Sequence, residues 1–381
     1  MSAGRSMDTV GSTTLRTRAS TLVGSRLFWP VMTLVALLVA NVVVSPGFLS
    51  IRIQDGHLFG SLIDILRNGA PTMLVALGMT VVIATRGIDL SVGATVAIAG
   101  AVAVSIVADS SDPSSLTTVL VAVGAALVIS LVLGAWNGLL VAVFGIQPII
   151  STLILMTAGR GIAMLITEGQ IITVTSPTYK VIGGGFWAAL PASIIIAAAM
   201  FVVAALLTRK TALGMLIESV GINPEASRLA GVRARSITWM VYVFSGLCAG
   251  IAGLMISSNV TAADANNAGL YIEMDAILAV VIGGTSLAGG RFSLIGTVIG
   301  AFVIQTLTTT VYSMGIAPEI TLVFKAMVVI AVCLLQSPVL QRRRKIRRVP
   351  TVIPPASHTD PSHLLETADA TSETRTGASI R

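Results

Sequence analysis

Thr85–Arg86–Gly87–Ile88–Asp89–Leu90–Ser91–Val92–Gly93 decides how this chain is read. The stretch lies between residues 70–84 and 92–108, two apolar runs that each read as a membrane-spanning helix. Between them stand Arg86, Asp89, Ser91 and two glycines. A bilayer offers no water to unpaired peptide groups, so irregular polar backbone at that depth is buried in protein or lines a pathway. Ionisable residues there are candidate functional sites.

The rest of the chain supports this setting. Of its 381 residues, 54% are hydrophobic and only 11% charged, where a soluble domain carries about 25% charged residues. The apolar runs are continuous rather than alternating, so the expected fold is an all-α polytopic membrane protein and not a β-barrel. The first 26 residues are polar, and the apolar run after them is of spanning length, so no cleavable signal peptide is expected. Cys248 and Cys333 both fall in predicted spans, which argues against a disulfide framework. His57, His358 and His363 are scattered and form no metal-binding set.

Ten spans are predicted, near residues 27–45, 70–85, 92–108, 117–144, 149–167, 190–208, 237–258, 274–289, 293–312 and 321–338. The fourth is long enough to tilt or to break at Gly134. With the N-terminus in the cytoplasm, inner segments hold 19 of the 24 basic residues, and the outer loops hold Arg52, Arg67 and Lys180. Outer loops also collect Asp109, Asp112, Asp264, Glu273 and Asp275. This is the positive-inside pattern, and it places both termini in the cytoplasm. The net charge of +7 is thus ordered by membrane side, which argues against nucleic acid as its partner.

The chain divides into a cytoplasmic segment 1–26, a transmembrane domain 27–340 and a tail 341–381 that opens basic and becomes Pro/Thr/Ser-rich. That tail reads as a stop-transfer cluster against anionic lipid followed by disorder. The Gly/Pro/Thr-rich outer loop 168–189 is placed to cover a pathway mouth. A loose internal repeat links Val81–Ala84, Gly87 and Gly93 to Val280–Gly284, Gly289, Gly290 and Arg291. Glycine-interrupted hydrophobic pairs in two halves point to the pathway of a transporter.

No lysine among Lys180, Lys210, Lys325 and Lys345 follows a glycine, so the chain carries no P-loop for ATP. Ion-coupled transporters hold several acids at mid-membrane; here Asp89 is almost the only candidate. Arg160, in Thr157–Gly161, either pairs with a carbonyl or with Asp89, or touches substrate. Lys325 reads as a snorkelling side chain. Asn137, Gln147, Asn259 and Gln305 are polar groups inside spans that either bond across helices or, as a set, suit a neutral hydroxyl-rich solute.

The connection 209–236 is the longest on the inner side. Asn223 reads as an N-cap with Pro224 at the first helical position, and Gly231 as a helix stop. A short amphipathic helix there is suited to a groove on a cytoplasmic partner, or to lying on lipid.

Gly87–Gly93, the loop Glu218–Val232 and Gly283–Phe292, in that order, resemble the sugar permeases of ATP-binding-cassette (ABC) importers, the branch for ribose, xylose, galactose and related monosaccharides. The resemblance covers about residues 27–338. Gln54–Leu66 and Ala262–Tyr271 are similar to the galactofuranose branch of that family. The resemblance implies two permease copies, a cytoplasmic ABC ATPase that uses the ATP, a periplasmic or lipid-anchored sugar-binding protein, and a place in the inner membrane. It implies that Glu218, Gly221, Asn223, Glu225, Ala226 and Gly231 couple to the ATPase, and that Asp89, Ser91 and Gly93 belong to a turn near the pathway. Arg86 departs from it, standing where the pattern has a small residue.

The expected function is therefore a transport subunit without covalent chemistry or a cofactor of its own. Asp89, Ser91, Gly93, Asn137, Arg160, Asn259 and Gln305 are the pathway candidates. The alternatives are an ion-coupled secondary transporter and an ABC permease for branched-chain amino acids. A membrane transferase would need clustered acids or histidines at one interface.

Overall fold

A computed structural model of the chain describes residues 27–44, 47–54, 56–315, 320, 322–327, 330 and 334. The predicted segment 1–26, the tail 341–381 and much of the tenth span lie outside the described residues.

The order of elements is α1 (Phe28–Val44), β1 (Arg52–Gln54), β2 (His57–Phe59), α2 (Ser61–Ala84), α3 (Val92–Ala108), α4 (Leu116–Ala142), α5 (Pro148–Ile166), β3 (Ile172–Thr173), α6 (Pro177–Lys180), β4 (Phe186–Trp187), β5 (Leu190–Pro191), α7 (Ala192–Lys210), α8 (Leu213–Ile222), α9 (Pro224–Leu229), α10 (Ala234–Val260), β6 (Ala262–Ala263), α11 (Ile272–Ile282) and α12 (Leu294–Ser313). Among the described residues, α2, α4, α5, α7, α10 and α12 are long and apolar enough to cross a membrane.

Helix α10 is the centre of the bundle and packs against α2, α3 and α4. Small residues make this possible. A Cβ on Gly246 would stand 2.9 Å from the Cα of Gly134, and one on Gly134 would stand 2.6 Å from the carbonyl oxygen of Tyr242. Apolar tails give helices little reason to associate in lipid, so close backbone approach through small residues supplies the contact. Gly134 therefore does not break its helix: α4 runs unbroken from Leu116 to Ala142. The outward faces of α1, α4, α5 and α7 carry exposed apolar side chains such as Val39, Leu120, Ile154 and Val202, as a lipid- or partner-facing surface requires.

Three other expectations are corrected. The second span begins at Ser61 rather than near residue 70. The eighth, expected over 274–289, is the eleven-residue α11 and stops at Ile282. Gly283 and Gly284, the latter at φ 84°, end the helix there. At 1.5 Å per residue α11 is about 16 Å long, half of a roughly 30 Å hydrocarbon core. Gln147 sits in the connection before α5, not inside a span.

The connections gather at two ends of the bundle. At one end β3 pairs antiparallel with β6, Leu58 N–H donates to the Ala189 carbonyl at 3.0 Å, and the Thr178 hydroxyl donates to Ser114 O at 2.8 Å. Tyr179 is buried there with its hydroxyl 2.7 Å from that of Ser257, and burial pushes its phenol up to about 12. At the other end Gly290 N–H donates to Ala84 O at 2.9 Å, and the Thr152 hydroxyl lies 3.2 Å from Ile88 O. These linked connections fall into the two groups that the charge pattern separates.

Replacing Gly246 by Leu is expected to destabilise the protein by about 1–3 kcal/mol or more through overpacking. A lowered thermal unfolding temperature in detergent checks this. Gly124→Leu is the control, because Gly124 has open space around it.

Candidate functional site

The turn over residues 85–93 is a hydrogen-bonded knot. Helix α2 closes with the Thr85 hydroxyl donating to Val82 O at 2.9 Å, and Arg86 then takes the left-handed conformation at φ 67°. That conformation costs a side-chain-bearing residue roughly 1–2 kcal/mol, and it reverses the chain. Residues 87–91 run back into the bundle before α3 starts at Val92.

Asp89 is 2% exposed. Its Oδ1 accepts from Ser91 N–H at 3.1 Å and from the Ser91 hydroxyl at 2.6 Å. Its Oδ2 accepts from the Ser245 hydroxyl of α10 at 2.9 Å. Asn137 of α4 donates from Nδ2 to Ser91 Oγ at 2.7 Å. One carboxylate thus joins the start of α3 to α10 and, through Ser91, to α4. Ser245 is eleven residues into α10, about 16 Å along its axis, so this knot lies deep in the bundle. The Tyr242 hydroxyl and Asn137 Oδ1 are buried there with no hydrogen-bond partner among the described residues.

A second knot joins this turn to the 209–236 connection. Arg86 donates from Nε to Gly221 O at 2.6 Å and from Nη2 to Ile222 O. Those are C-terminal carbonyls of α8, where a cation is favourable. A Cβ on Gly221 would collide with the Ala84 carbonyl and stand 2.6 Å from Gly290 N, and one on Gly289 would collide with the Arg86 side chain. The ends of α2, α8 and the α11–α12 turn therefore meet backbone to backbone. Arg86, the departure from the resemblance, is used inside the chain to hold this junction.

Beyond α8 the short helix forms as its cap residues dictate. Asn223 Oδ1 accepts from Ala226 N–H at 3.0 Å, and Gly231 adopts φ 84°. Glu225, Ala226, Arg228 and Leu229 are exposed, Leu229 at 83%. Glu225 and Arg228 pair at 3.1 Å on this open surface, a contact worth less than about 1 kcal/mol. Glu218 lies half-buried on α8, and Gly221 is buried.

The other candidates are dispersed. Gly93 packs against the Glu273 carboxyl and the Gly269 carbonyl. Arg160 donates to Ala265 O at 2.9 Å and Ala268 O at 2.7 Å; its partners are carbonyls, not Asp89. Asn259 Oδ1 accepts from Arg67 at 2.5 Å at the end of the bundle that carries β3 and β6. Gln305 lies against Gly69, where a Cβ would be 3.2 Å from its side chain. Lys325, expected to snorkel, is in an ion pair with Asp275 at 2.7 Å.

Sequence reasoning missed Ser245, Tyr242 and Glu273. The first two are neutral polar residues inside an apolar helix, and only the stripe of small residues Ser245, Gly246, Ala249 and Gly253 marks that face. Glu273, an outer-loop acid by the charge pattern, is 3% exposed.

Residues 61–333 match the family described as branched-chain amino acid transport system / permease component. The chain belongs to this permease family. It is 51% identical over 318 residues to the galactofuranose transporter permease protein of Escherichia coli (strain K12), covering 82% of this chain and 91% of that one. It is 41% identical over 323 residues to the fructose import permease protein of Bifidobacterium longum (strain NCC 2705), covering 83% and 89%. It is 36% identical over 311 residues to the ribose import permease protein of Escherichia coli (strain K12), covering 80% and 92%. No solved structure matches the chain.

Two outcomes are expected of this permease. Asp89→Ala strands three donors, at about 1–3 kcal/mol for each left unsatisfied, whereas Asp89→Asn keeps an acceptor. Thermal unfolding in detergent should therefore fall far more for Ala than for Asn. Arg86→Ala should raise hydrogen exchange across residues 213–222 while leaving α4 protected, as read by mass spectrometry.

Proposed function

We propose that this permease is the membrane-spanning subunit of an ATP-driven ABC importer that moves a monosaccharide across the cytoplasmic membrane, with a galactofuranose-like sugar the first candidate. It crosses the membrane ten times with both termini in the cytoplasm. It pairs with a second copy, sits among membrane lipid, receives sugar from a periplasmic or lipid-anchored binding protein, and does no covalent chemistry. A separate cytoplasmic ATPase binds and hydrolyses the ATP, and nucleic acid is no partner.

The observation that carries this reading is the exposed α9, with Leu229 bare, set one residue beyond the Arg86–Gly221–Gly290 junction. An exposed apolar side chain on a short capped helix suits a groove on a partner. A push on α8 and α9 from an ATPase would reach the ends of α2 and α12 through backbone contacts rather than through flexible side chains. Rigid-body rocking of that kind is how membrane bundles alternate access around a fixed pathway. The sugar rests on relatives named for galactofuranose, fructose and ribose.

The family's description favours a second reading, a permease for branched-chain amino acids. Competition separates the two: excess unlabelled sugar abolishes uptake of labelled sugar in the proposed importer, and leucine, isoleucine and valine leave it untouched.

The coupling is tested by Glu225→Lys, which reverses a charge on the exposed helix, and by Gly231→Pro, which cannot adopt φ 84°. Both are expected to insert normally and to lose ATP-driven uptake. Native uptake in both would overturn the assignment of residues 218–231 as the coupling segment.

A further inference from the structure

After β6 the chain does not stay at the end of the bundle. Residues 264–271 run back between α3 and α5 without forming a helix. A Cβ on Gly269 would stand 2.8 Å from Gly93 O and 2.8 Å from a methyl of Val96. Val96 lies twelve residues before the end of α3 at Ala108, about 18 Å along its axis. Arg160, six residues before the end of α5, holds the Ala265 and Ala268 carbonyls. The segment therefore descends about 9–18 Å from that end, well into a roughly 30 Å hydrocarbon core.

The segment is two-faced. Ala265, Gly269, Ile272 and Glu273 are buried, while Asn266, Asn267, Leu270 and Tyr271 are exposed. Asp264 shapes the turn: its carboxylate accepts from Asn266 N–H at 3.0 Å, Asn267 N–H at 3.2 Å and Asn267 Nδ2 at 2.7 Å. Tyr271 is held at φ 63°, an outlier for an aromatic residue of the kind that persists where surrounding structure fixes it for function. Non-helical backbone at membrane depth is tolerated only when it is buried in protein or lines a water-filled cavity, and this face is not buried by the described residues.

We infer that residues 264–271 form a wall of the translocation pathway on which Asn266, Asn267 and Tyr271 contact the sugar. Carboxamide groups are both donors and acceptors without charge, which matches vicinal hydroxyls. A phenol adds an apolar ring for the C–H face of a sugar and one hydroxyl for its rim. Arg160 holds the segment at this depth through the Ala265 and Ala268 carbonyls, and Asp264 orients the Asn267 amide. The assignment rests on the sugar-importer reading.

The test uses the complete transporter with Cys248 and Cys333 replaced by Ala. Asn266→Cys and Tyr271→Cys are expected to react with a charged, membrane-impermeant methanethiosulfonate many times faster than Leu120→Cys on the exposed apolar face of α4. In the otherwise native complex, Asn266→Ala and Asn267→Ala are expected to slow sugar uptake about three- to tenfold each, the worth of one or two neutral hydrogen bonds. Labelling at 266 no faster than at 120, with sugar still imported by the native complex, overturns the pathway wall alone. Native-rate uptake in both alanine variants overturns the sugar contact. Fast labelling with no sugar import by the native complex overturns the sugar-importer reading itself.

Discussion

A carboxylate 2% exposed between two apolar helices can persist only if its lone pairs are occupied, because burying a charged or polar group without partners costs several kcal/mol. Asp89 meets that constraint with donors from its own turn and from α10. Those donors fix where α3 begins. Once α3 starts deep in the bundle, the segment 87–91 must be enclosed, and the close packing of α10 against α3 and α4 does the enclosing. The small residues along α10 are the other half of the same requirement, since a bulkier face would hold Ser245 away from Asp89.

The turn is also where the bundle is tied to the 209–236 connection. Arg86 follows directly on α2 and reaches the last carbonyls of α8, while Gly290 N–H is bonded to Ala84 O. Three elements distant in sequence are thus joined within one turn of the residue sequence that carries Asp89. The short α11 completes the arrangement: it begins beside Gly93 and ends at the Gly283–Gly284 pair that leads to this same junction. The two glycine-interrupted turns that looked like a loose repeat therefore meet each other in space.

Much of this was legible in the sequence where one residue type carries a local rule. Continuous apolar runs gave most helices to within a few residues. Asn223, Pro224 and Gly231 announced the short helix because caps depend on immediate neighbours. The importance of Asp89 followed from its charge in an apolar setting. What was not legible depended on partners far along the chain. Ser245 and Tyr242 look like ordinary residues of an apolar helix until the fold brings them to the turn. Glu273 and residues 264–271 read as an outer loop because acids and asparagines favour water, and nothing local reveals that Arg160, more than a hundred residues away, draws that loop inward. Arg86 read as an anomaly because its acceptors are carbonyls of α8, which no side-chain pattern discloses.

The buried acid ties helices together, and in the proposed importer the energy for transport would enter through α8 and α9 from a partner ATPase. The most direct test is uptake of labelled galactofuranose, galactose, ribose and xylose into proteoliposomes holding this permease with and without the proposed ATPase and binding protein. Uptake of a sugar is expected only when ATP and all components are present, with no response to an imposed proton or sodium gradient. Gradient-driven uptake by this chain alone, abolished by Asp89→Asn, would contradict the importer reading.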